Sequence, residues 1–180
     1  MKKFLQFAGI ISLALAAVAF VLMMATPAVL VKITSSSTVQ FAGTMAIFGG
    51  KLDAAQMLAL TVLASEAKPA VMALLAWIFI LIAMIILLLG VVLPLLKVKA
   101  LERFAGLLNL IAVALLVVGG VFMFIVVPSF YGAQGVDKAL DGASLGAGWV
   151  IGGIVAMIAG VIALLPMAAD FMGKKKGKKR

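Results

Sequence analysis

The sequence contains no cysteine and no histidine, and only six acidic residues among its 180. The first two absences together remove disulfides, thiol nucleophiles, bis-histidine haem, cysteine-held iron–sulfur clusters and the usual zinc ligands. A Ser–His–Asp triad cannot be written without an imidazole. The acids Asp53, Glu66, Glu102, Asp137, Asp141 and Asp170 all fall at or outside the ends of the apolar runs. No carboxylate is placed in mid-span, where ion-coupled carriers keep one. Charge of any sign is scarce at 12% of residues, against about 25% in soluble domains. These gaps argue against conventional enzyme and proton-carrier chemistry, and the expectation is a non-enzymatic protein with no metal and no cofactor.

What fills the chain instead is apolar: 66% of residues are hydrophobic and the mean hydropathy is +1.33. That leaves too little polar surface to coat a soluble globule, and far too much hydrophobicity for disorder. A spanning helix needs about 20 apolar residues. Four stretches supply them, at 4–31, 70–96, 104–128 and 149–169. Between them lie an outer loop at 32–68, an inner turn at 97–103 and a second outer loop at 129–148, with a basic tail at 170–180. The first apolar run is nearly twice the length of a signal-peptide core of about 7–15 residues, so it reads as an uncleaved anchor.

Orientation follows from the basic residues. With four spans, Lys2, Lys3, Lys97, Lys99, Arg103, Lys174, Lys175, Lys176, Lys178, Lys179 and Arg180 share one side, and only Lys32, Lys51, Lys68 and Lys138 lie on the other. The positive-inside rule then places both termini in the cytoplasm of a cell (plasma or inner) membrane. The short inner turn makes spans two and three antiparallel neighbours. Pro27, Pro69, Pro94, Pro128 and Pro166 all fall near expected helix ends, where a missing N–H costs least. Tyr131 and Trp149 suit an outer aromatic belt, and Trp77 reads as a core or lipid-facing ring.

Small residues set the expected packing. Ser144, Gly148, Gly152, Ala156 and Gly160 recur every four residues through span four. Such a ridge serves either as an intramolecular groove or as an oligomer face. Ala76, Ala83 and Gly90 in span two, and Ala105, Ala112 and Gly119 in span three, are seven apart, which suits a left-handed crossing. The expected fold class is an all-α integral membrane protein, a left-handed four-helix transmembrane bundle with a small extracytoplasmic β-hairpin or meander in its first outer loop. Asn109 is the strongly polar side chain inside spans two to four, and its amide needs a partner in hydrocarbon. Two roles stay open for it, a gate or ligand contact and an interhelical hydrogen bond fixing register, with Gln6 and Ser12 as candidate partners.

The first outer loop is β-like at its start. Residues 29–34 run into the turn Ser35-Ser36-Ser37, then Thr38-Val39-Gln40-Phe41, then 44–48 before Gly49-Gly50. Val39 and Phe41 share one strand face, as do Met45 and Ile47. With Phe48, these form the candidate outer-loop interaction surface. Asp53 and Gln56 have the spacing of a capping box, opening a short helix to about residue 67 with Met57, Leu60 and Ala64 on one face.

This order of span, β-rich loop, short outer helix, span, tight basic turn, span, loop, span resembles the claudin-like four-helix superfamily, which includes the claudins and peripheral-myelin-type proteins. The resemblance is topological and covers most of the chain. It implies cytoplasmic termini and a first outer loop folded into a sheet. The family's tryptophan- and cysteine-bearing loop signature is absent, since 32–68 contains neither residue type, and no family site carries over.

The second outer loop is glycine-rich and nearly neutral, with Lys138 against Asp137 and Asp141. It reads as a flexible linker with one helical turn near 136–140. Lys174, Lys175, Lys176, Lys178, Lys179 and Arg180 form a juxtamembrane cluster suited to anionic inner-leaflet lipid. Without aromatics or a structured face, the tail does not point to nucleic acid. Three functional readings follow: a membrane scaffold acting through its first outer loop and lateral helix contacts with a second copy or another membrane protein; an oligomeric pore or holin-like permeabilising protein; and an accessory subunit of a larger membrane complex.

Overall fold

The computed structural model describes residues 2–35, 37–61, 65–95, 99–136 and 142–177, with side chains over 7–35, 37–61, 65–92, 106–136 and 142–165. In chain order the elements are α1 (Lys2–Ala25), β1 (Pro27–Lys32), β2 (Thr38–Ala42), α2 (Gly43–Phe48), β3 (Gly50–Lys51), α3 (Ala54–Leu60), β4 (Glu66–Ala67), α4 (Val71–Leu95), α5 (Lys99–Phe124), α6 (Val126–Ala133), β5 (Ala143–Leu145) and α7 (Ala147–Gly177). Four helices carry stretches long and apolar enough to cross a membrane: Phe7–Ala25 in α1, Val71–Val92 in α4, Gly106–Phe124 in α5 and Ala147–Leu165 in α7. They pack in a ring, with α4 on α5, α5 on α7, α7 on α1, and α1 on α4.

The first span is shorter than its apolar run. Its helix ends at Ala25, and 27–31 belong to strand β1. Hydropathy alone cannot separate a buried strand from a helix. Pro27 decides the matter, because it has no N–H to continue the ladder to Met23. Pro128 acts in a similar way at the other side of the bundle. It stands in the first turn of α6, just beyond the break at Ile125 that ends α5. Pro166 differs from expectation: it lies inside α7, which continues to Gly177. A proline within a spanning helix is tolerated when neighbours take up the freed carbonyl.

Both long connections fold together at the end of the bundle away from the termini. β1 is the centre of an antiparallel sheet in the order β2-β1-β5. Val29 pairs with Phe41 and with Leu145, and Val31 with Val39 and with Ala143. The β1–β2 hairpin is the expected one, with the Ser37 N–H donating to Thr34 Oγ1 at 3.0 Å and the Ile33 N–H to the Ser37 carbonyl at 3.0 Å. The third strand has no counterpart in the local sequence pattern. The described residues of the second connection belong to α6 and β5 rather than to a linker, while most of the expected turn at 136–140 lies outside the described residues. Gly142 and Gly146 make the approach of β5 to β1 possible, because a side chain at either would run into the backbone of Lys32 or Pro27.

Two further elements differ from the sequence reading. Residues 43–48 are helical (α2) rather than a strand. The buried members Gly43, Ala46 and Ile47 follow an i, i+3, i+4 pattern, which outweighs the two-residue spacing of Met45 and Ile47. α3 starts as expected, with Asp53 Oδ1 accepting from the Gln56 N–H at 2.7 Å and Gln56 Oε1 accepting from the Asp53 N–H at 3.1 Å. It stops at Leu60, because Thr61 turns into the left-handed region at φ 54°. Leu60 is buried and Met57 half-buried, whereas Ala64 lies outside the described residues.

One continuous apolar core joins bundle and cap. Ala19, Met23, Ala76, Ile80, Met123 and Ala156 from the helices merge with Val29, Phe41, Ile47, Leu60, Phe130 and Trp149. A second cluster, including Ala16, Ala83, Leu87, Ala112, Leu116 and Ala159, fills the half of the bundle nearer the termini.

Candidate functional site

α7 is the helix on which the bundle is organised. Gly152 lies against Met123 of α5 and against Ala19 and Leu22 of α1, and Gly160 against Val113, Leu116 and Val117 of α5. Gly153 meets Gly120 and the ring of Phe124, and Ala156 is fully buried. Gly148 lies against the Thr26 side chain. The four-residue ridge is thus filled by neighbours within the same chain, apart from its first member, Ser144, which is exposed on β5. The seven-residue seam is partly realised. Ala76, Ala83 and Ala112 are buried, and Gly119 packs on Ala76, Phe79 and Ile80. Gly90 is exposed with open space around it, and the side chain of Ala105 lies outside the described set.

Both polar side chains singled out in the spans use α7. The Asn109 amide donates to the carbonyl of Ala163, and the buried Ser12 hydroxyl donates to the carbonyl of Ala159 at 2.7 Å. Asn109 therefore bonds to helix backbone rather than to Ser12, and the side chain of Gln6 lies outside the described residues. Hydroxyl and amide groups in hydrocarbon are stabilised by such carbonyl bonds, at about 1 kcal/mol each.

A tight corner joins bundle to cap at Thr26-Pro27. Three glycines from distant parts of the chain close on it. Gly43 sits against the carbonyls of Met23 and Thr26, and its N–H donates to the Thr26 carbonyl at 3.0 Å. Gly146 sits on the Pro27 carbonyl and Gly148 on the Thr26 side chain. The sequence marks this corner only by the proline. The partner glycines look like ordinary loop and ridge residues until the fold brings them together.

A second clasp ties the two connections. Gln134 Oε1 accepts from the Lys68 N–H at 2.9 Å, and Gln134 Nε2 donates to the Lys68 carbonyl at 2.8 Å. The side-chain amide thus imitates a strand neighbour. Ser129 Oγ accepts from the Met72 N–H at 3.1 Å, capping the start of α4 from α6. Gln56 Nε2 reaches the Gln40 carbonyl at 2.9 Å and covers the outer edge of β2. The capping role of Gln56 is legible in local spacing, but its cover of the β2 edge is not, because Gln40 is 16 residues away.

The candidate outer-loop residues separate by burial. Phe41 and Ile47 are fully buried and Val39 nearly so, all three within the cap core; Met45 packs at its margin. Phe48 is 52% exposed. Among the described residues of the cap, the most exposed large apolar side chain is Leu58 on α3, at 68%, which the sequence pattern does not single out. Tyr131 and Trp149, expected at an interface, are instead buried under the folded cap. Among the described residues, Tyr131 Oη and Trp149 Nε1 have no hydrogen-bond partner. Burial raises the Tyr131 phenol above its ordinary range. The described residues contain no cluster of three metal-ligating side chains. The lipid-contact residues Lys174, Lys175, Lys176, Lys178, Lys179 and Arg180 lie outside the described side chains, although the α7 backbone runs on to Gly177.

The class defined by this geometry is a multi-pass four-helix membrane protein whose two long connections fold into one cap. Compared with known family models and with curated proteins, the chain matches none.

Proposed function

We propose that the protein is a non-enzymatic membrane scaffold that works by contact, presenting its cap to a second copy or another membrane protein. The observation that carries this reading is the joint folding of the two connections. A sheet shared between them and the Gln134–Lys68 clasp fix a surface on which Leu58 stands largely exposed. Isolated hairpins are marginal, and this one is held by a core continuous with four helices. An ordered apolar projection of that kind suits partner recognition.

In this reading the bundle is left-handed, the termini face the cytoplasm and the cap faces outward, as the distribution of basic residues favours. The order of elements supports a claudin-like architecture: a β-rich first connection, then a short capped helix before the second span. Lys174, Lys175, Lys176, Lys178, Lys179 and Arg180 would rest on anionic headgroups, each contributing about 1 kcal/mol near the surface.

The test is a photo-crosslinking side chain at Leu58, activated in native membranes and read by mass. A discrete adduct supports the reading, and its mass separates a second copy from a different subunit. Recovery of the uncross-linked chain alone, with the cap intact to protease, overturns it.

A further inference from the structure

Three aromatic rings line the cap end of the seam between α1 and α4. Phe20 of α1 lies 6.2 Å from Trp77 of α4, ring centre to ring centre, and Trp77 meets Phe48 of α2 edge-on at 5.2 Å. None of the three is fully buried, and Phe48 is 52% exposed. The depth of this row is the informative quantity. Trp77 is six residues inside Val71, the start of a 22-residue apolar stretch. At about 1.5 Å per residue that is about 9 Å along the helix axis. Side chains lean toward the helix N-terminus, so the indole is somewhat nearer the cap, yet still on the apolar side of Val71. Phe20 is five residues inside Ala25, the end of α1, at a matching depth from its own end.

Phe48 belongs to the cap by sequence but to the apolar belt by position. Val71 is itself 60% exposed, and the exposed apolar face of α4 continues away from the cap through Ile82, Ile85 and Leu89. The exposed face of Phe48, through its contact with Trp77, lies beside an apolar helix face that lipid would cover if α4 crosses a bilayer. The backbone around α2 is prepared for the same surroundings. The Gly43 N–H donates to the Thr26 carbonyl, the Gly49 N–H to the Met45 carbonyl, and the Ala46 carbonyl accepts from the Ala70 N–H at 2.8 Å. Backbone polar groups at hydrocarbon depth need internal partners of this kind.

We propose that α2 is a membrane-embedded part of the cap, with Phe48 in the acyl-chain region backed by Trp77 and Phe20, so that the cap is sunk into the bilayer on its α1/α4 side. The occupant of this surface is lipid, not protein. The inference rests on α4 crossing the membrane and is independent of what Leu58 contacts.

The chain has no cysteine, so single-cysteine labelling reads this directly. Phe48→Cys and Ser35→Cys variants of the full chain, Ser35 being exposed in the β1–β2 turn, are placed in phosphatidylcholine vesicles and treated with a water-soluble maleimide. The thiol at position 48 is expected to react at least about tenfold more slowly than the thiol at position 35, because an apolar medium disfavours the reactive thiolate. A spin label at position 48 is expected to be relaxed by oxygen rather than by a polar nickel complex. Equal labelling rates overturn the proposal. So does slow labelling combined with relaxation by the polar agent, which would place position 48 in a watery niche of the protein.

Discussion

The Ser12 hydroxyl and the Asn109 amide donate to carbonyls four residues apart on α7, those of Ala159 and Ala163. The two donors come from α1 and α5, the helices flanking α7 on either side. Each fixes the register of its own helix against successive turns of the third. Apolar packing on small residues tolerates sliding more readily than a hydrogen bond does, so the pair supplies what the glycine ridge lacks.

Asn109→Leu and Ser12→Ala should each lower stability by about 1 kcal/mol. Reversible unfolding in mixed micelles measures this. The two losses should not simply add, since both bonds position one helix. Strict additivity would show that the two sites act separately.

The Thr26-Pro27 corner predicts sharply different outcomes for glycine substitutions. Gly43→Ala would press a methyl group onto the Met23 and Thr26 carbonyls, which are backbone atoms. A loss of about 3 kcal/mol is expected for overpacking of that kind. Gly106 has nothing within 4 Å of an added Cβ, so Gly106→Ala should be neutral or slightly stabilising. Thermal unfolding of both variants, side by side, tests how tightly the corner is packed.

Tyr131 predicts an alkaline limit. Its phenol is raised by burial, so the folded state holds the proton at pH values where the unfolded chain releases it. Folding stability is then unaffected below about pH 10, the unfolded value, and falls as pH rises above it. Tyr131→Phe should remove that decline. Because Tyr131 Oη lacks a partner among the described residues, the variant should also be no less stable at neutral pH. Unfolding midpoints measured from neutral to strongly alkaline pH report both.

Gln134→Ala deletes two bonds to Lys68, a loss of about 2 kcal/mol at about 1 kcal/mol each. Gln134→Glu keeps an acceptor for the Lys68 N–H but sets an oxygen against its carbonyl, and should be no better. Hydrogen exchange at Lys68 and Met72 should quicken in both variants while the amides of α7 stay protected.

The four spans are legible in the sequence because a run of about 20 apolar residues suits little besides a bilayer crossing. The capping box at Asp53 and Gln56 and the β1–β2 hairpin are legible because their signals are local. The polar partner of Asn109 is legible in kind but not in identity: the sequence shows that an amide needs an acceptor, while a backbone carbonyl carries no residue signature. β5 escapes notice because three residues of Ala-Ser-Leu among glycines have no period of their own, and the strand forms only against a finished β1. α2 reads as a strand because six residues accommodate both a two-residue and a four-residue spacing. The burial of Tyr131 and Trp149 follows from the cap, and the cap depends on contacts between segments about a hundred residues apart, as in the pairing of Val29 with Leu145.

The position of α7 in the chain has a consequence for biogenesis. Every acceptor used by Ser12 and Asn109, and the glycines that receive α1 and α5, come after residue 147, and the strand that completes the sheet comes just before it. During synthesis, three helices can enter the membrane while their polar groups and the open edge of β1 still lack those partners. Both closures then wait for α7 to arrive. Until then the nascent chain carries a hydroxyl and an amide awaiting a helix, and a strand edge awaiting its neighbour.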